Sequence, residues 1–155
     1  YIMEKERLTP AQTSDMLNRR SGLLGVSEVS ADLRDIKGAA KSSPSARLAL
    51  AVFVHRARKY LGAYAAVLGG VDVLSVAGGI GERAADLRRA ICERMGYMGL
   101  RLSKAKNARA LGAETVISAP SSEVSVVVVQ VDEERVIARD CYEIVKGGVE
   151  RLGPE

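Results

Sequence analysis

The 155 residues are 47% hydrophobic and 27% charged, which suits one compact domain or a large piece of a bigger one and argues against intrinsic disorder. Five Tyr, one Phe and no Trp leave Val, Leu, Ile and Ala to build the core, as in α/β proteins with buried strands. The net charge of +4 comes from dispersed Lys and Arg without interleaved aromatics, which argues against a nucleic-acid partner.

No apolar run is long enough to span a bilayer and no signal-peptide pattern is present, so the expectation is a soluble cytoplasmic protein without a membrane partner. Cys92 and Cys141 are far apart and outside any metal-ligand spacing, and read as buried or half-buried thiols in a reducing compartment. Tyr1 to Leu8 resemble the end of a helix, which predicts sequence upstream of Tyr1.

Thr9-Pro10-Ala11-Gln12 is a helix start: Thr9 caps, Pro10 takes the first helical position, and Gln12 reaches back. That helix is predicted to run to about Arg20, broken by Gly22 and Gly25, and Ser21 to Asp35 reads as a structured loop. Ser43-Pro44 opens a long helix, with Leu50, Val54, Ala57, Leu61, Tyr64 and Leu68 at three- and four-residue steps, ending at Gly69-Gly70. Val71 to Ala77 is predicted to be a buried strand, implying a parallel sheet.

Next comes a helix from Ala84 to about Met95, patterned by Ala85, Leu87, Arg88 and Ile91. Lys104, Lys106 and Arg109 fall in a solvated helix or loop, and a short strand is expected near Thr115 to Ser118. Val124 to Val131 is the strongest strand pattern, and Asp132-Glu133-Glu134 begins the last helix, where acids favour the positive end of the dipole. The alternation of strand and helix favours α/β layers.

The sharpest motif is Gly78-Gly79-Ile80-Gly81-Glu82, between a strand and a helix N-terminus. Glycines there let a backbone approach a phosphate beside free N–H groups; equally, they serve a tight strand-to-helix turn. Gly79 to Ala84 also fits a dinucleotide fingerprint, but Leu100 to Arg109 holds no acid for the ribose. No Walker-type loop occurs, which excludes a P-loop enzyme. Asp132-Glu133-Glu134 could hold Mg²⁺ through one carboxylate and waters, or simply cap the helix. Asp32-Leu33-Arg34 pairs a cation with an acceptor, a combination suited to a ribose or base. His55, beside Arg56, Arg58 and Lys59, reads as a surface residue.

Four stretches in this order and spacing resemble the C-terminal region of the acetate and propionate kinase family. They are Ser21-Gly22-Leu23-Leu24-Gly25 with Ser30 to Arg34, Arg58 to Tyr64, Gly78 to Glu82, and Glu133-Glu134 followed by Ile137-Ala138-Arg139-Asp140. The likeness runs from the first helix to about Lys146.

It implies an α/β, ribonuclease H-like (actin-like ATPase) domain with a mixed sheet flanked by helices. Residues 1–155 would be the C-terminal nucleotide-binding domain of a two-domain enzyme. By the resemblance Asp32, Leu33 and Arg34 line the adenosine pocket, Gly79, Ile80 and Gly81, with Glu82 and Arg83, lie against ATP or ADP, and Glu133 binds Mg²⁺. Arg83 stands where the family usually has Asn, Asp132 where Asn commonly precedes the two glutamates, and Leu33 where some members carry an aromatic.

The implied activity is reversible phosphorylation of acetate or a similar short carboxylate to the acyl phosphate, by a homodimer. No catalytic residue is expected on this chain, because the family's phosphate turn, transition-state cations and catalytic aspartate precede the region it matches. The fragment alone is then expected to be inactive. The alternatives are a non-catalytic nucleotide-binding or dimerisation remnant and, more distantly, a dinucleotide-dependent oxidoreductase.

Overall fold

A computed structural model describes residues 1–147; the last part of the expected 1–155 domain lies outside the described residues. The chain divides into two compact units, Tyr1–Gly70 and Val71–Glu155.

The first unit is helical. α1 (Ile2–Glu6) precedes α2 (Pro10–Arg19), which starts as expected: Thr9 Oγ1 accepts from the Gln12 N–H at 3.3 Å and Gln12 Oε1 accepts from the Thr9 N–H at 2.8 Å. The segment Ser21 to Asp35 is not a loop. It contains α3 (Gly22–Ser27) and the start of α4 (Leu33–Ala39). Gly22, at φ +61°, opens a helix instead of closing one. Leu23 and Val26 of α3 pack against a core of Ile36, Ala46 and Ala49, so tertiary burial overrides two glycines of poor helix propensity.

Between the two helices the buried Ser27 hydroxyl accepts from the N–H groups of Val29 (3.2 Å) and Ser30 (3.3 Å) and donates to the Ser30 carbonyl. α5 (Pro44–Leu68) runs from its Ser43 cap to Gly69, which takes the left-handed conformation at φ +74° as a C-terminal glycine should. His55 is exposed on α5.

The second unit is α/β. Its sheet is mixed, in the order β1-β3-β2: β1 (Val73–Val76) runs parallel to β3 (Ser125–Val128), and β2 (Thr115–Val116) runs antiparallel to β3. A wholly parallel sheet is therefore not formed. Val126 and Val128 are buried in β3, whereas β1, at the edge of this order, has Val73 59% exposed and is not the buried strand that its composition suggests.

Connecting β1 to β2 are α6 (Gly78–Arg83), α7 (Ala85–Cys92), a 3-10 turn at Gly96–Met98 and α8 (Lys104–Arg109). Leu87, Cys92, Met95, Leu100, Ile117 and Val124 complete the core. α9 (Glu133–Gly147) follows β3. Cys92 is buried as expected, but Cys141 is exposed on α9. Among the described residues no helix is long and apolar enough to cross a membrane.

Candidate functional site

β1 and β3 are parallel neighbours with Val76 opposite Val128, so their carboxyl ends open on the same edge of the sheet. Ligand crevices of α/β proteins form outside such strand ends. Strand β1 leaves through Ala77 into α6, and β3 leaves through Val129, Gln130 and Val131 into the acidic turn. The Val129 N–H donates to the Val76 carbonyl at 2.9 Å, and the Val131 N–H donates to Glu82 Oε1 at 3.1 Å. The glycine motif and the acids are thus tied together side by side.

The glycine motif is a short helix, not an open loop. Gly78 starts it at φ +69°, a conformation that disfavours any side chain. Gly81 is required by space: a Cβ there would lie 2.9 Å from the Val76 carbonyl carbon. Gly79 has nothing within 4 Å of an added Cβ and is exposed with Ile80. The glycines therefore divide, with Gly78 and Gly81 serving the turn and Gly79 left facing open space. Ala77 supplies no side-chain cap, so the first-turn N–H groups lack the hydroxyl or carboxylate acceptor that usually sits there. Arg83 is exposed at the end of α6, and the Glu82 carboxylate is engaged by Val131.

In the acidic turn Asp132 Oδ1 accepts from the Arg135 N–H at 2.9 Å and is the cap of α9. Glu133, the first residue of α9, is exposed. Among the described residues no cluster of three or more His, Cys, Asp or Glu could hold a metal. Glu134 beside it is exposed as well. Mg²⁺ carried on nucleotide phosphates keeps most of its ligands as water and phosphate oxygens and needs as few as one protein carboxylate.

Asp32, Leu33 and Arg34 belong to the first unit, where they form the start of α4. Asp32 is its N-cap, accepting from the Arg34 N–H at 2.7 Å and from the Arg34 side chain, with Nη2 to Oδ2 at 2.5 Å. These bonds hold the Asp32 carboxyl down at about 2 and raise the Arg34 guanidinium in turn. Arg34 is exposed, whereas Leu33 is buried at 6% exposure and its side chain packs inward.

Sequence reasoning missed Arg88 and Asn107, both buried. Arg88 Nε donates to Asn107 Oδ1 at 2.8 Å, and its terminal nitrogens donate to the carbonyls of Gly81, Glu82, Asn107 and Ala110. Burial lowers the guanidinium from its ordinary value. The available signal was a charge four residues before Cys92 on the stripe that also includes Leu87.

Comparison with known proteins gives the family. A family model described as the acetokinase family matches residues 1–139. The chain is 47% identical to the acetate kinase of Parabacteroides distasonis over 146 residues, covering 94% of this chain and 36% of that protein. It is 46% identical over 147 residues to the acetate kinase of Moorella thermoacetica, covering 94% of this chain and 37% of the relative.

Among solved structures, an acetate kinase of Porphyromonas gingivalis superposes with a TM-score of 0.83 at 46% identity, covering 93% of this chain and 36% of that one. A propionate kinase of Francisella tularensis does so with a TM-score of 0.78 at 33% identity, covering 90% and 35%. The chain therefore spans little more than a third of the length of the relatives it matches.

Proposed function

This chain belongs to the acetokinase family, and on that premise we propose that the intact protein transfers a phosphoryl group between ATP and acetate or a similar short carboxylate. The products are ADP and an acyl phosphate. This chain is the C-terminal nucleotide-binding part, and the groups that stabilise the transferring phosphoryl lie in the remainder. Phosphoryl transfer rests mainly on positioning and charge stabilisation around the phosphate.

The observation that supports this reading is the shared strand edge: parallel β1 and β3 deliver α6 and the acidic turn side by side, joined by the Val131 to Glu82 hydrogen bond. Gly79 and Ile80 are the exposed backbone of α6 and the part against which nucleotide phosphates pack. Gly81 and Glu82 hold that turn, the first by close contact with Val76 and the second through Val131. Arg83 extends a cation from the end of α6. Glu133 is the Mg²⁺ carboxylate, with Asp132 fixing the first turn of α9. A bound Mg²⁺ would neutralise phosphate charge at this edge.

In the first unit Asp32 and Arg34 supply polar contacts to adenosine, and the buried Leu33 supports them from behind. A homodimer in the cytoplasm completes the proposal.

The test is calorimetric titration of the chain with ADP, with and without Mg²⁺, and with NAD as a control. Saturable ADP binding that Mg²⁺ strengthens, without NAD binding, is the expected result. A demonstrably folded chain that ignores ADP, or binds NAD equally well, refutes the assignment.

A further inference from the structure

α6 has little of its own to hold it in place. Its six residues are far fewer than an isolated helix needs. It opens on a left-handed glycine, and Ala77 gives it no side-chain cap. Its placement comes from outside.

Arg88, 2% exposed, is the main source. Its Nε donates to Asn107 Oδ1 at 2.8 Å, Nη1 to the carbonyls of Gly81 (2.7 Å) and Glu82 (2.9 Å), and Nη2 to the carbonyls of Asn107 (2.8 Å) and Ala110 (2.7 Å). A guanidinium has five N–H donors in a rigid plane, and here five oxygens meet them, which fixes its orientation completely. Four of these are carbonyls at the C-terminal ends of α6 and α8, groups that a helix leaves unpaired and where a cation suits the dipole. Asn107 is itself locked, its Nδ2 donating to the Ala85 carbonyl at 2.8 Å.

The constraint continues to the other half of the edge. The Glu82 carbonyl also accepts from the Gly112 N–H at 3.3 Å, and its carboxylate accepts from the Val131 N–H, two residues before Glu133. Gln130 Nε2 donates in turn to the Gly112 carbonyl.

Resting on the nucleotide-binding reading, we propose that Arg88 is the positioning residue of the nucleotide turn. Without touching ligand, it clamps the end of α6 so that the exposed Gly79 to Ile80 backbone and the Glu133 carboxylate keep the spacing a Mg²⁺-bound diphosphate needs. Small displacements of such groups weaken binding steeply. Lysine cannot replace it, since one ammonium cannot reach five oxygens spread over two helix ends.

The experiment uses the full chain with Arg88→Lys and the milder Asn107→Ala, which removes one acceptor and keeps the arginine. Backbone amide exchange and ADP–Mg²⁺ calorimetry are run at a temperature where circular dichroism shows each variant folded. The expected result is exchange faster by about tenfold or more within residues 78–83 and 107–112 and unchanged in α5, with ADP affinity lower by about tenfold, a readily resolved shift.

Arg88→Lys that binds ADP–Mg²⁺ as tightly as the parent overturns the proposal. So does an affinity loss matched by equally faster exchange throughout the chain, which would mark a purely structural arginine. If Arg88→Lys does not fold, Asn107→Ala decides by the same criteria. A parent that binds no ADP refutes the nucleotide reading, and that outcome is visible before any variant is made.

Discussion

Replacing Gly81 by alanine tests whether the glycine motif is shaped by contact with β1. The added Cβ would lie 2.9 Å from the Val76 carbonyl carbon, with Val76 Cβ and O both at 3.5 Å. Carbon atoms in good contact sit about 3.5–4.0 Å apart, so α6 and the end of β1 must separate by roughly 0.6 Å. The obstacle is main chain and cannot rotate away. Overpacking of this kind costs about 1–3 kcal/mol.

Gly79→Ala is the matched control, because its Cβ meets nothing within 4 Å. Both changes gain the same helix propensity, at most about 1 kcal/mol, so it cancels in the difference. Gly81→Ala should therefore be less stable than Gly79→Ala by about 1–3 kcal/mol, a gap of roughly 2–12 °C in melting temperature for a chain of this size. Urea and thermal unfolding followed by circular dichroism measure it. Equal stability of the two variants would show that Val76 does not impose glycine at position 81. In the ADP titration the order should reverse in meaning: Gly79→Ala keeps the fold yet weakens binding, since its methyl group occupies the approach to the backbone.

Other expectations follow from single residues. Glu133→Gln should leave ADP binding without Mg²⁺ unchanged and abolish the strengthening by Mg²⁺, while Asp132→Asn, which still caps α9, should preserve it; equal responses in calorimetry would remove Glu133 as the metal carboxylate. Asp32→Asn keeps an acceptor for the Arg34 N–H but removes the charge. Because Arg34 depresses the folded Asp32 carboxyl from 3.8 to about 2, its contribution is complete above about pH 4 and fades as pH falls toward 2. The melting temperature of the variant should thus lie below the parent's at pH 7 and converge on it in that acid window, and a pH-independent gap would contradict the ion-pair origin. Ser43→Ala removes the hydroxyl that accepts from the Ala46 N–H at 3.1 Å and should lower stability by about 1 kcal/mol in urea unfolding.

Where local chemistry alone settles an element, the sequence was sufficient. Thr9, Pro10 and Gln12 specify the start of α2 through bonds within one turn, and Ser43-Pro44 and Gly69 delimit α5 in the same way. The run Val126 to Val129 marks β3 because β-branched side chains fit a pleated, packed surface. The strand before the glycine motif and the family to which these stretches belong were equally readable from residue order, whereas the motif itself forms the short helix α6 instead of a loop.

Tertiary structure decided what depends on residues distant in the chain. Gly22 and Gly25 argue against a helix, yet α3 forms because Leu23 and Val26 have a core to pack on. In the sequence Leu33 groups with Asp32 and Arg34, but the helical turn of α4 sends it inward while Arg34 stays exposed. The different duties of Gly79 and Gly81 arise from the proximity of Val76, which no spacing rule reveals. Arg88 shows this most clearly: in the sequence it is one cation among 23 Lys and Arg, and only the convergence of two helix ends and Asn107 around it gives its five donors their partners.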